Sequence, residues 1–463
     1  EGPLTDCSDT IAALATPFGY GGIGVIRLSG PESLEIARRI FRSSRSIDSF
    51  RSHRLYHGDI VSPDTGAVID EVLLCFMGKP RSYTGEDTVE INCHGGPLII
   101  KTILNTVTKL GARFAEPGEF TKRAFLNNRL DLSGAEAILD VIKARTEKGL
   151  SLAVGRLKGA LRQEVGRIRD GIVDALAVLE ASIDFSDEDV ELEDRRLTVA
   201  RLDACLARLS RLLATYHDGK ILQDGLHVLI IGKPNAGKSS LLNAILGTDR
   251  AIVTPIPGTT RDFIEESVQI GGIPVTLIDT AGIRESSDMI EEQGISLVWR
   301  KLSEADLVLM VFDGSRELDD DDLLVLEKTK DMESVMVINK EDLPPRLDWN
   351  LLMKYRPRSK PIPISAKFKK GLDSLRDEMT RIAASSGSIE TDAVLITDLR
   401  HFQALSQGAD HLRRGRDNLL AGHPPEIVSI DLRDALGRLD EIAGRGLPDE
   451  ILDRIFSSFC IGK

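Results

Sequence analysis

Between the apolar run Leu226–Ile231 and a helix-forming stretch the chain reads Gly232-Lys233-Pro234-Asn235-Ala236-Gly237-Lys238-Ser239. This G-x-x-x-x-G-K-[ST] pattern commits the middle of the chain to a strand–loop–helix unit. The glycines let backbone N–H groups wrap a phosphate, and the helix N-terminus adds positive potential. Lys238 is expected to reach the β- and γ-phosphates and the Ser239 hydroxyl to ligate Mg2+, with Asn235, Ala236, Gly237 and Ser240 completing the cradle. Further apolar runs at Pro274–Ile278, Leu307–Phe312, Val335–Ile338 and Pro361–Ile364 alternate with helical stretches. That is the signature of a mostly parallel, doubly wound sheet covered on both faces.

Three more motifs follow strands of this sheet. Asp279-Thr280-Ala281-Gly282 places Asp279 toward Mg2+, through water, and the Gly282 N–H toward a γ-phosphate. Asn339-Lys340-Glu341-Asp342 offers a carboxylate that accepts from both N1–H and the exocyclic amine of guanine, a pair adenine cannot present. Ser365-Ala366-Lys367 completes the base pocket with backbone N–H groups for the guanine oxygen. Motifs in this order at strand C-terminal ends lie where open α/β sheets bind ligands. Between the phosphate loop and Asp279, Gly258-Thr259-Thr260-Arg261-Asp262 offers a threonine to Mg2+ and the γ-phosphate, Thr260 being preferred over Thr259. A Ras-type GTPase would carry a glutamine after Asp-Thr-Ala-Gly to orient the attacking water; here the residue is Ile283. From the residues alone the candidates for that task are Arg284, Glu285, Asp288, Glu291 and Glu292.

With 463 residues, the chain is too long for one core, so two or three domains are expected. Residues 1–127 read as a mixed α/β domain, with strands at Ile23–Leu28, Val68–Phe76 and Thr88–Cys93 and helices at Pro31–Phe41 and Pro97–Leu110. Residues 128–222 read as helical, opening on a capping box at Ser133–Glu136 and ending at Gly219 as C-cap. Leu202, Cys205, Leu206, Leu209, Leu212, Leu213 and Tyr216 form one apolar stripe in it, as helix–helix contacts require. A Ras-like G domain spans 223–384, Ser385–Ser388 resembles a linker, and helical sequence fills 385–463. The fold class is thus multidomain α/β plus all-α, with the G domain inserted into a helical domain.

A net charge of -13 excludes a protein that coats nucleic acid non-specifically; an RNA substrate then requires a local basic patch or a partner that supplies one. The five cysteines are scattered without metal-site or redox spacing, and a reducing cytoplasm is the simplest setting. No apolar run approaches the ~18 residues of a membrane span. No signal-peptide pattern opens the chain, and the final Lys463 argues against prenylation at Cys460.

The central region is similar to Era-like, translation-factor-related GTPases, and the whole chain resembles the MnmE (TrmE) family of tRNA-modification GTPases. The resemblance rests on Asp9–Ala12 followed by Gly21–Gly30, on Thr84–Asp87, His94–Pro97 and Pro117–Asn127, and on the ending Phe459-Cys460-Ile461-Gly462-Lys463. It implies an N-terminal folate-binding domain that forms a homodimer. It also implies an FAD-containing partner, MnmG (GidA), in a heterotetramer or larger assembly; this chain has no FAD fingerprint of its own. Together the two would add an aminomethyl or carboxymethylaminomethyl group at C5 of the wobble uridine of certain tRNAs, with a 5-formyl or 5,10-methylene tetrahydrofolate as donor.

Family members pair their G domains in K+-dependent fashion, the cation supplying charge that an arginine finger supplies elsewhere. Such charge contributes roughly 10³–10⁵ in rate. Asn235 matches the K+-ligating asparagine and Ala251–Thr260 the K+ loop, with ligands implied at Thr254, Ile256 and Thr259. Glu291 aligns with the catalytic glutamate. For folate the resemblance carries over to Arg27, Glu90, Arg129 and Lys463. The family's lysine is replaced by Arg129, which keeps the charge and changes the hydrogen-bond geometry. The bland reading of Arg27 and Glu90 is outward-facing strand residues. Cys460 is read either as a thiolate nucleophile near the folate or as part of a structural terminus.

The competing readings are an Era-like switch in ribosome assembly or signalling, without a role in RNA chemistry, and a folate enzyme whose G domain only regulates. A second G domain or a KH-type Gly-x-x-Gly loop would favour a switch, and neither occurs beyond Ala384.

Overall fold

The computed structural model describes residues 9–43, 49–184, 192–247, 264–279, 302, 305–355, 361–383 and 394–463. Two compact units emerge: Glu1–Leu139 with Arg156–Arg169 and Glu426–Lys463, and Asp140–Gly155 with Asp170–Pro425. Among the described residues no helix is long and apolar enough to cross a membrane.

The first unit is built on a seven-stranded sheet of β1 (Ile11–Leu14), β2 (Gly21–Ser29), β3 (Phe41–Arg42), β4 (Arg54–Val61), β5 (Val68–Met77), β6 (Thr88–Gly95) and β7 (Arg113–Phe114). Their spatial order is β3-β4-β5-β6-β2-β1-β7, antiparallel except for β1 with β7. The three strands legible in the sequence are present, and β1, β3, β4 and β7 are additional. β3 and β7 are too short for a period-two signal to register. Alternation decides the faces. Ile26, Leu28, Leu74, Val89 and Ile91 point into a core closed by helices Ser33–Ile40 and Pro97–Lys109. Arg27 and Glu90, directly paired across β2 and β6, fall on the opposite face.

That opposite face is covered by helix Glu119–Leu126, whose Phe120 packs with Ile11, Ala13 and Ala115. The chain's last residues return to it. Phe456 and Phe459 pack with Leu132 and Ala135, and the Gly118 N–H donates to the Cys460 carbonyl at 3.4 Å. Gly462, at φ 93°, lies so close to β1 that a Cβ there would run into the Leu14 carbonyl. Helix Leu132–Lys143 starts differently from the capping box read at Ser133. Asp131 is the cap, its Oδ1 accepting from the Gly134 N–H (2.8 Å) and the Ser133 hydroxyl (2.9 Å), while Ser133 is already inside the helix.

In the second unit β8 (Leu226–Ile231), β9 (Ile264–Ile270), β10 (Ile273–Asp279), β11 (Leu307–Asp313), β12 (Ser334–Asn339) and β13 (Ile362–Pro363) form a sheet ordered β13-β12-β11-β8-β10-β9. All pairs are parallel except the β9–β10 hairpin. Both faces are buried, which explains the unbroken apolar runs. On β8, Val228 and Ile230 join helices Lys238–Leu246 and Leu372–Ala383 in one core; Leu229 and Ile231 join Leu326 and Leu352 in the other. Helix Leu192–Ala214 buries Leu202, Cys205, Leu206, Leu209 and Leu212, as its stripe predicts. It runs along helix Leu399–Ala421, where Arg416 pairs with Asp203 at 3.0 Å. Gly219 does not cap. It sits inside helix Tyr216–Asp224, where a Cβ would run into the Ile396 carbonyl, and Gly225, at φ 93°, ends the helix. The linker expected at Ser385–Ser388 lies outside the described residues.

An ionic cluster centred on the buried Arg123 fastens the start of the first sheet. The Arg123 side chain, 2% exposed, meets Asp9 Oδ1 at 2.6 Å, Glu119 at 3.1 Å and Glu86 at 3.3 Å. Arg113 adds bonds to Glu119 at 2.6 Å and Asp9 at 2.8 Å. Burial alone would raise the Glu119 and Asp9 carboxyls, but the hydrogen bonds from Arg113 and Arg123 outweigh it and hold both below their ordinary values. Groups depressed in the folded state stabilise it above their unfolded pKa and lose that contribution as pH falls. Arg123→Met should therefore cost roughly 2–3 kcal/mol at pH 7, since it takes the buried cation from Glu86 and Glu119 while Arg113 still pairs with Glu119 and Asp9 is half exposed. The penalty should shrink as pH drops from about 5 through the lowered carboxyl values. Denaturant unfolding at pH 7 and pH 3.5 checks it; an equal penalty at both would show that charge pairing is not the cause.

Candidate nucleotide site and N-terminal cluster

The β8–helix turn has the geometry its sequence demands. Gly232 (φ 150°), Asn235 (φ 65°) and Gly237 (φ 98°) take positive φ, turning the loop back so that helix Lys238–Leu246 starts beneath it. The Lys238 ammonium donates to the carbonyls of Gly232 (2.9 Å) and Lys233 (2.8 Å), which span the loop's mouth. Ser239 Oγ donates to Asp279 Oδ2 at 2.7 Å, so a hydroxyl from the loop and a fully buried carboxylate from β10 converge on one point. A carboxylate and a hydroxyl are hard oxygen donors and suit Mg2+. Ala236 is buried and Ser240 exposed.

The base motifs join this loop through Asn339. Its Nδ2 donates to the Ala236 carbonyl at 2.9 Å, and its Oδ1 accepts from the Ala366 N–H at 3.1 Å. A Cβ on Gly237 would collide with that amide. Ser365 Oγ donates to Asp342 Oδ1 at 2.6 Å, and this bond, with the charges of Lys367 and Lys340, keeps the exposed Asp342 carboxyl low and ionised. Lys340, at φ 67°, reaches Asp313 Oδ2 at 2.6 Å. Lys367 is exposed, with its ammonium 5.3 Å from the Phe368 ring centre. Asp313 did not figure among the sequence-derived candidates. Its position at the C-terminal end of β11 was the available signal. Burial raises its carboxyl, but bonds from Lys340 and Ser315 pull it below its usual value.

Asn235, Ala236, Gly237, Lys238, Ser239, Ser240, Asp279, Asn339, Lys340, Asp342, Ser365, Ala366 and Lys367 thus occupy the three loops at the C-terminal ends of β8, β12 and β13 and the tip of β10. Thr254, Ile256, Thr259, Thr260, Thr280, Ala281, Gly282, Ile283, Arg284, Glu285, Asp288, Glu291 and Glu292 lie outside the described residues.

In the first unit Arg27, Glu90 and Lys463 come together although far apart in sequence. Arg27 donates from Nε (2.9 Å) and Nη2 (2.8 Å) to Glu90 Oε1, and from Nη1 to the Gly462 carbonyl at 3.4 Å. Its guanidinium stands 4.8 Å from the Tyr83 ring centre and 5.6 Å from that of Phe120; the Lys463 ammonium is 6.0 Å from Tyr83. Burial first, and the nearby Arg27 charge second, lower the Lys463 ammonium from its ordinary value. Tyr83, just before Thr84–Asp87, was missed by the sequence reading; its hydroxyl meets Thr121 Oγ1 at 2.8 Å. Arg129 is bonded elsewhere, its Nε donating to the Ser82 carbonyl at 3.1 Å. Cys460 is exposed, and its carbonyl accepts from Gly118 and Lys463. The cluster pairs two cations and a carboxylate with an aromatic wall, a donor set that suits a flat heterocycle with an anionic tail.

A glycine-rich phosphate loop, a carboxylate at the tip of β10 and an Asn-Lys-x-Asp motif on one parallel sheet define a P-loop guanine-nucleotide-binding protein. Models of two families cover nearly the whole chain: the GTP-binding protein TrmE N-terminus over residues 10–129 and the MnmE helical domain over residues 132–460. The chain is 48% identical to a tRNA modification GTPase MnmE of Syntrophus aciditrophicus (strain SB), covering 98% of this chain and 99% of the relative. It is 45% identical to that of Natranaerobius thermophilus and 46% to that of Geotalea uraniireducens (strain Rf4), with the same coverage. The chain belongs to the MnmE (TrmE) family of tRNA modification GTPases, and it is a GTPase that acts in tRNA modification.

Two substitutions probe the base side. Asn339→Ala should weaken GDP binding at least tenfold, because it leaves the Ala236 carbonyl and Ala366 N–H without their buried partner. Asp342→Asn should shift preference from guanine to xanthine nucleotides, and titration with GDP and XDP reads both effects.

Proposed function

We propose that this GTPase is K+-dependent and works with an FAD-containing MnmG subunit. Together they install an aminomethyl or carboxymethylaminomethyl group at C5 of the wobble uridine of certain tRNAs, using a tetrahydrofolate one-carbon donor. The GTPase part of the reading is supported by the convergence of Ser239 with Asp279 and of Asn339 with both Ala236 and Ala366, which makes one nucleotide site of four separate motifs; the K+, folate and partner assignments rest on the family resemblance.

In this reading GTP lies along the phosphate loop with its base between Asn339, Lys340, Asp342 and the Ser365–Lys367 turn. Lys238 exchanges the Gly232 and Lys233 carbonyls for β- and γ-phosphate oxygens, and Ser239 with Asp279 and Thr260 holds Mg2+. Bound magnesium neutralises charge on the β- and γ-phosphates. Asn235, Thr254, Ile256 and Thr259 are assigned to K+, Thr280–Gly282 to sensing the γ-phosphate, Arg284 to supporting the reaction, and Glu291 to positioning water. That water attacks the γ-phosphorus, the bond to the GDP oxygen breaks, and the proton leaves with the phosphate product. Arg27, Glu90, Arg129 and Lys463 are assigned to the folate, the Glu90 carboxylate to the amide-like edge of its pterin and the basic residues to its anionic groups. Cys460, exposed beside Lys463, is the nucleophile candidate.

The domains are assigned as 1–127 for folate and dimerisation, 128–222 and 385–463 for the helical domain, and 223–384 for the G domain. The protein is read as a cytoplasmic homodimer.

GTP hydrolysis should be faster in KCl than in NaCl at equal ionic strength; equal rates would remove the cation from the mechanism. Glu291→Ala should keep GTP affinity and lose turnover. Cells lacking the protein should carry unmodified wobble uridine, and normal tRNA there would return the chain to a switch without RNA chemistry.

A further inference from the structure

The phosphate-loop pattern leaves its second position free, yet Lys233 there is only 20% exposed and tied down. Its ammonium pairs with Asp319 and, at 2.9 Å, with Asp322 Oδ2. Both carboxylates belong to a built structure, the capping box of helix Asp320–Lys328. Asp319 accepts from the N–H groups of Asp321 (3.1 Å) and Asp322 (3.4 Å), and Asp322 accepts from the Asp319 N–H (3.3 Å). The Lys233 carbonyl in turn accepts from Lys238. The same β11–helix connection begins at Asp313, which holds Lys340 of the base motif. One segment, 313–322, therefore grips the phosphate loop at its entry and the base motif at its lysine, while Asn339 fastens the loop's other end at Ala236.

We propose that Lys233 is a positioning residue for the nucleotide: its ion pairs with Asp319 and Asp322 fix the entry of the phosphate loop and thereby set where Lys238 meets the phosphates. The inference rests on the nucleotide-site reading and deepens it. A loose lysine beside the phosphates would act differently, attracting the nucleotide by charge alone. Removing a carboxylate separates the two. Asn still accepts the capping hydrogen bond, so Asp322→Asn keeps the helix start but removes one of the two carboxylate charges that brace Lys233. A brace predicts weaker GDP binding; simple charge attraction predicts tighter binding, since a negative charge is gone.

The test is GDP affinity of the full-length protein in Lys233→Gln, Lys233→Arg, Asp322→Asn and the Lys233→Gln/Asp322→Asn pair, with thermal melting alongside. Lys233→Gln and Asp322→Asn should each weaken GDP about tenfold, the scale of a lost charge-assisted contact. The double variant should be no worse than either single, and Lys233→Arg should recover most of the affinity. GMP, which carries the base but no β-phosphate, should compete equally well against every variant; a general loss of structure would weaken GMP too and would overturn the proposal. Tighter GDP binding in Asp322→Asn, or unchanged binding in Lys233→Gln, would also overturn it. Lys238→Ala serves as the reference. If it loses GDP while Lys233→Gln does not, the brace alone fails; if neither loses GDP, the site reading fails with it.

Discussion

The side-chain amide of Asn339 is the tie on which the nucleotide site depends. It is 3% exposed, and both of its polar atoms are used, one on the phosphate loop and one on the Ser365–Lys367 turn. A buried amide left with half its bonds is costly, so Asn339 holds the two loops to one another. The same amide dictates its surroundings: Gly237 must lack a Cβ to let it approach, and its backbone carbonyl receives the Gly314 N–H at 2.8 Å. A residue usually read as part of a base-specificity motif is thus also the fastener of the phosphate loop.

The sheet makes that tie possible. Strand order reverses at β8, with β11 on one side and β10 on the other, opening a crevice at the strands' C-terminal ends. Cores on both faces fix the strands, so the loop residues carry the chemistry without also having to carry the fold. The N-terminal cluster follows another logic. A cross-strand pair supplies Arg27 and Glu90, a helix supplies Phe120, and the chain's final turn supplies Gly462 and Lys463. It exists only because the terminus can thread against β1 where Gly462 has no side chain.

Much of the nucleotide site was legible because each motif is short, contiguous and sits after an apolar strand. The local signals that failed did so for local reasons. Ser133 and Gly219 have the residue types of caps, but Asp131 lies two residues earlier with a better acceptor, and Gly219 is small to admit the Ile396 carbonyl. Asp313 and Tyr83 belong to no repeating pattern, so only their neighbours in space reveal them.

The sequence by itself determined the strand–loop–helix units, the identity of the phosphate and base motifs and the family, since these depend on residue type and spacing along the chain. Tertiary structure decided what no spacing encodes. It set Arg27 opposite Glu90 and brought Lys463 to both. It also joined Lys233 to a capping box almost ninety positions away. Those contacts depend on sheet register and on glycines that permit close backbone approach, and both are settled only when the strands pair and the cores close.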